Sequence, residues 1–126
     1  MSAARPLVLT AAVVVADTFT KAWLTTPPQL HHDRPLWVAL AAWPALLVAA
    51  RVAGRNPRLT MPLTLVVAGG LCNLAWILLA DGGPDPFIAI RGQTFVAFNL
   101  ADVSIVAGTL WAIATAVDAT ARRRLA

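Results

Sequence analysis

The sequence contains no tyrosine, no glutamate and a single cysteine, and only 13% of its 126 residues are charged. Each shortage excludes something. One cysteine, Cys72, excludes an intramolecular disulfide. So few charges exclude an ordinary soluble domain, because a chain of this size needs more polar surface than that. Two adjacent histidines, His31 and His32, with no third ligand in pattern, give poor grounds for a metal site. There are no repeats and no low-complexity tract. Strict alternation of apolar and polar residues, which a membrane barrel requires, is also absent.

What the chain has in abundance is apolar residues, 59% of the total. They fall into four runs at 6–25, 35–54, 59–80 and 94–117, each close to the roughly 20 residues that a helix needs to cross the hydrocarbon core. Helices are expected, since each satisfies its own backbone in lipid. The spacing predicts an all-α membrane protein, a four-transmembrane-helix bundle that uses residues 1–126 as one membrane domain. Pro62 falls in the first turn of the third run, where proline is tolerated, and Pro44 lies inside the second. Asp17 and Lys21 extend the first run, which therefore reads as a permanent span rather than a cleaved signal peptide.

A pI near 11 invites a nucleic-acid reading, but the placement of the cations supplies another. Arg5, Arg51, Arg55, Arg58, Arg122, Arg123 and Arg124 flank ends that lie together if the helices alternate. The other side holds Arg34 and Arg91 with Asp33, Asp81 and Asp85. The positive-inside rule then puts both termini and the 51–58 connection in the cytoplasm, with 26–34 and 81–93 outside. No nucleic-acid partner is needed.

The informative residues are the polar ones inside apolar runs. A carboxylate at mid-bilayer costs about 2.5–3.5 kcal/mol on insertion scales, so each asks for a reason. Counted at about 1.5 Å per residue, Asp17, Lys21, Asn73, Asn99 and Asp102 all fall in the outer half of the membrane. Asp17 and Lys21 are i,i+4, a spacing that suits an ion pair; Asn99 and Asp102 are i,i+3. Asn73 shares a helix face with Gly69 and Gly70, small residues that admit a neighbouring helix. Asp85 follows in an outer loop from which it could fold back over the bundle. Asp118 and Arg122 are spaced for an ordinary i,i+4 pair, and the five tryptophans read as packing and interface anchors. Asp102, uncompensated in its own helix, is the strongest functional candidate. Two carboxylates facing one compartment share a proton when brought close: the ionised one takes a proton from water while the protonated one polarises a carbonyl.

These residues resemble the boxes of the lipoprotein signal peptidases (signal peptidase II). "DTFTK" (17–21) resembles the first box, "GGLCN" (69–73) the glycine-rich segment ending in Asn, and "FNLAD" followed by "IVAG" the last box. Asp85 falls where that family carries a loop aspartate. The resemblance implies an intramembrane aspartyl endopeptidase of the bacterial cytoplasmic membrane, which cuts prolipoproteins before their diacylglyceryl-modified cysteine and uses no metal or organic cofactor. Asp85 and Asp102 would be the catalytic pair. Asn73, Asn99, Asp17 and Lys21 would bind substrate or support the pair, with membrane lipid as the surrounding partner. Two departures stand out. The Asp-Arg that the family carries after its third-box Asn is replaced by Trp76 and Ile77. The segment "TPPQLHHDRPL" has no counterpart of the second box and is short for an extracytoplasmic substrate cradle. Two alternatives follow: a non-proteolytic four-helix relative that binds lipid or lipoprotein, and a small proton-coupled transporter. The second is disfavoured by the absence of glutamate and by Lys21 one turn from Asp17.

Overall fold

The computed structural model describes residues 4–24, 36–80, 85–91 and 94–125. The described residues form four helices, α1 (Ala4–Trp23), α2 (Leu36–Arg55), α3 (Thr60–Ala80) and α4 (Leu100–Leu125), and one two-stranded antiparallel sheet, β1 (Phe87–Arg91) and β2 (Thr94–Phe98), between α3 and α4 in the sequence. Three of the helices, α1, α3 and α4, are long and apolar enough to cross a membrane. α2 is twenty residues long and carries Pro44 within it.

α3 lies at the centre, packed along α4 and against both α1 and α2, while α1 also touches α4. α2 reverses into α3 through a tight turn. Leu59 N donates to Asn56 O at 2.9 Å, and Thr60 Oγ1 to Ala53 O at 2.8 Å. Contacts late in α1 and late in α3 meet the start of α4, so α1 runs parallel to α3 and antiparallel to α4. That arrangement gathers Arg5, Arg55, Arg58, Arg122 and Arg124 at one end of the bundle and leaves the buried polar residues toward the other.

The packing is the inverse of a water-soluble protein. Large apolar side chains such as Leu7, Phe19, Leu78 and Leu110 face outward, Leu79 with 85% of its surface exposed. Val13, Ala68, Cys72 and Ala101 form a small core. The buried polar residues, among those described, are Asp17, Lys21, Asn73, Asp85 and Asn99. Without a hydrophobic force between helices in lipid, close backbone approach does the packing, and small residues permit it. Gly69 shows this most plainly: a Cβ there would overlap the carbonyl oxygen of Ala101 on α4.

The helices expected from the apolar runs are present; the correction concerns the start of the fourth. The run beginning at 94 was expected to be helical throughout, yet 94–98 is a strand and the helix opens at Leu100 and continues to Leu125. The reason lies in composition. "FIAIR" and "TFVAF" are rich in β-branched and aromatic residues, which favour a pleated surface. Asn99, immediately after, is a strong helix N-cap. Phe87 pairs with Phe98 across the ladder, and their rings stack at 5.6 Å between centroids.

Candidate active site

The hairpin register builds one half of the site. Since Phe87 faces Phe98, Asp85 just before β1 is carried beside Asn99 just after β2. Asn99 Nδ2 donates to Asp85 Oδ1 at 2.6 Å, with both residues fully buried.

The start of α4 builds the other half. The first turn of a helix leaves four backbone N–H groups without intrahelical partners. Asn99 is the cap: its carbonyl accepts the first helical bond, from Val103 N at 3.2 Å, and its Oδ1 accepts from Asp102 N at 2.9 Å. Asp102 reciprocates, Oδ2 accepting from Asn99 N at 3.3 Å. The pair is a capping box with Asp at the third helical position. The N–H between them, on Ala101, donates to Asp17 Oδ1 of α1 at 2.9 Å. Negative side chains gather where the helix dipole is positive, which favours them there. Asn99 and Asp102 are therefore not two polar residues part-way along a helix, as their position in an apolar run suggested. They are its first turn.

α1 and α3 complete the cluster. Asp17 Oδ2 lies 2.7 Å from Lys21 Nζ, an ion pair whose side chains are both fully enclosed. Lys21 Nζ also donates to Asn73 Oδ1 at 3.2 Å, and Asn73 Nδ2 donates to Asp102 Oδ1 at 2.7 Å. An ammonium can only donate, so it accepts no other orientation of that amide: oxygen toward Lys21, nitrogen toward Asp102. The result is one connected network from Asp17 through Lys21, Asn73, Asp102 and Asn99 to Asp85. All six residues singled out in the sequence belong to it. Asp17 and Asp85 are enclosed, whereas Asp102 is only half-buried and keeps an accessible side.

The other candidates fare as ordinary structure, or fall outside the described residues. Asp118 and Arg122 pair on the exposed face of α4 at 2.9 Å. His31, His32, Asp33, Arg34 and Asp81 lie outside the described residues. Sequence reasoning did not foresee the neighbour of Trp76. Among the tryptophans, Trp23, Trp37, Trp43 and Trp111 are exposed on the bundle surface as anchors would be. Trp76 is instead half-buried, with its ring centroid 5.6 Å from Lys21 Nζ. It also missed the capping box, although Asn-x-x-Asp before an apolar run is a helix-start pattern.

Comparison with known proteins adds two findings. Residues 25–117 match the family described as signal peptidase (SPase) II. The chain is also similar to two solved structures, each described as a bacterial membrane enzyme obtained by the in meso method, at 2.3 Å and 1.9 Å resolution. The first aligns with a TM-score of 0.69 and 17% identity over 95% of this chain and 92% of that one. The second gives 0.67 and 18% over 88% and 91%. At such identities the likeness is one of fold. No curated protein matches the chain.

Proposed function

The chain belongs to the signal peptidase II family, and from that premise we propose that it is an intramembrane aspartyl endopeptidase with Asp85 and Asp102 as its catalytic pair. Its substrates are prolipoproteins, cut on the N-terminal side of a diacylglyceryl-modified cysteine. The observation that carries this reading is Asn99, which holds both carboxylates at once: its side-chain nitrogen bonds Asp85 at 2.6 Å and its backbone nitrogen bonds Asp102 at 3.3 Å. In this reading the pair works with one carboxylate ionised and the other protonated. The ionised member takes a proton from water, and the water oxygen attacks the scissile carbonyl carbon. The protonated member delivers its proton to the carbonyl oxygen. Collapse of the tetrahedral adduct then returns a hydroxyl proton to the second carboxylate and expels the cysteine amine, which receives the proton taken from water.

Asn73, held by Lys21, orients Asp102, and Asp17 balances Lys21 while capping α4. The protein forms a single domain in the bacterial cytoplasmic membrane, with α2 as a fourth span, both termini in the cytoplasm and the dyad near the outer surface. The arginine-rich end of the bundle supports that orientation. A proton-coupled transporter is disfavoured by the 2.7 Å pairing of Asp17 with Lys21, which leaves no lone carboxylate on α1.

The test is cleavage of a diacylglyceryl-modified prolipoprotein by purified protein in detergent, beside Asp85→Asn and Asp102→Asn. Each substitution keeps size and removes charge, so each is expected to abolish cleavage with folding retained. Normal turnover in either variant refutes the dyad. A folded wild type that binds the lipopeptide without cutting it points instead to the non-proteolytic relative.

A further inference from the structure

Lys21 is a cation enclosed in the bundle, 4% exposed, and its ammonium has neighbours on three sides. Asp17 Oδ2 lies at 2.7 Å and Asn73 Oδ1 at 3.2 Å. The third side faces the indole of Trp76, 5.6 Å from Nζ to the ring centroid. From this arrangement we infer that Trp76 is a positioning residue: its ring holds the Lys21 ammonium against Asn73, so that Asn73 keeps donating to Asp102. The inference rests on the reading of Asp102 as half of the dyad.

The geometry gives the reasons. Asn73 and Trp76 are one helical turn apart on α3, so one rigid element presents an amide oxygen and an aromatic face to the same cation. An ammonium carries three N–H groups on a flexible four-carbon stem. Two are drawn to the carboxylate and the amide, and the negative face of an indole attracts the third direction, most strongly where water is excluded. The chemical type matters as well as the place. A carboxylate on that side would compete with Asn73 for the ammonium and add a second negative charge beside Asp17. A ring attracts the cation yet accepts no strong hydrogen bond, so the bond to Asn73 Oδ1 survives. That bond fixes the amide with Nδ2 toward Asp102 at 2.7 Å. Trp76 and Ile77 occupy the positions where the family pattern carries Asp-Arg, and the ring attracts the cation there without adding a charge.

The experiment uses the full chain in detergent, with Trp76→Leu and Trp76→Phe. In the prolipoprotein assay Trp76→Leu is expected to lower kcat by about ten- to thirtyfold with KM little changed, and Trp76→Phe, which keeps a smaller π face, to recover part of the loss. Equal losses in the two variants, or a loss confined to KM, overturn the inference. A second readout needs no activity: a double-mutant cycle of Trp76→Leu with Lys21→Met, followed by reversible unfolding. Trp76→Leu is expected to shift the unfolding equilibrium about tenfold in the wild-type background and little in the Lys21→Met background. The same shift in both backgrounds would make the ring mere packing and overturn the inference. If wild type proves unable to cleave, the peptidase reading falls, and the cycle still decides whether the ring holds the ammonium.

Discussion

Removing Lys21 is the most severe test of how the polar cluster is held. Lys21→Met keeps the length of the side chain and deletes the ammonium. Asp17, with its side chain fully enclosed and its Oδ2 now 2.7 Å from the ammonium, is left facing a methyl group instead of a cation, retaining the Ala101 N–H on its other oxygen. Taking one partner from a buried pair costs about 3–5 kcal/mol, because the remaining charge keeps its desolvation penalty and loses its compensation. At about 1.36 kcal/mol per factor of ten, the unfolding equilibrium should move by roughly two to four orders of magnitude. That is a large part of the roughly 5–15 kcal/mol that holds a typical domain together. The second variant isolates the cause. Asp17→Asn in the Lys21→Met background removes the orphaned charge while its side-chain oxygen still accepts from Ala101 N. Replacing both members of a buried pair is often nearly neutral, so the double variant should regain more than half of the loss. Reversible unfolding in mixed micelles, read by helical circular dichroism, measures all three proteins. A Lys21→Met cost below about 1 kcal/mol would mean that the pair behaves as a solvated one. A double variant no better than the single would mean that charge burial is not the cause. Either result refutes the reasoning.

Two further expectations concern backbone geometry. Gly69→Val places carbon where the Ala101 carbonyl now lies and should destabilise by about 1–3 kcal/mol or more as α3 is forced off α4, with prolipoprotein cleavage falling as Asn73 moves from Asp102. Gly54→Ala, whose new Cβ meets nothing within 4 Å, should be neutral or gain up to about 1 kcal/mol in the same unfolding measurement. Asn99→Asp keeps an oxygen for the Asp102 N–H but removes the donor to Asp85, so cleavage should be lost while the helix start is retained. Asn99→Ala should lose cleavage and in addition about 0.5–2 kcal/mol of stability.

Much of this site was legible because lipid makes polarity expensive. A carboxylate in an apolar run must be met by something, and spacing alone marked Asp17 with Lys21, which do pair. Counting residues from the ends of the runs placed Asn73, Asn99 and Asp102 in the outer half of the membrane, and the structure joins them. What spacing did not reveal was where the fourth helix starts. Strand and helix are equally apolar here, so hydropathy runs straight through the boundary; the β-branched and aromatic character of 94–98 carried the distinction instead. Trp76 was hidden for a different reason. Its partner sits on another helix, and a tryptophan in an apolar run has the same sequence signature whether it anchors the interface or faces a cation. The convergence of Asp85 on Asn99 follows from strand register, which becomes visible only once the strands are recognised.

The hairpin has a consequence for how such a protein can change. Its base is pinned by the facing pair Phe87 and Phe98, with Asp85 and Asn99 immediately beneath. An antiparallel ladder lengthens at its tip, two residues at a time, without disturbing the pairs below. A single residue inserted into one strand instead slips the register and turns that strand's side chains to the opposite face. The element can therefore lengthen or shorten in matched steps while the placement of Asp85 beside Asn99 at its foot is kept.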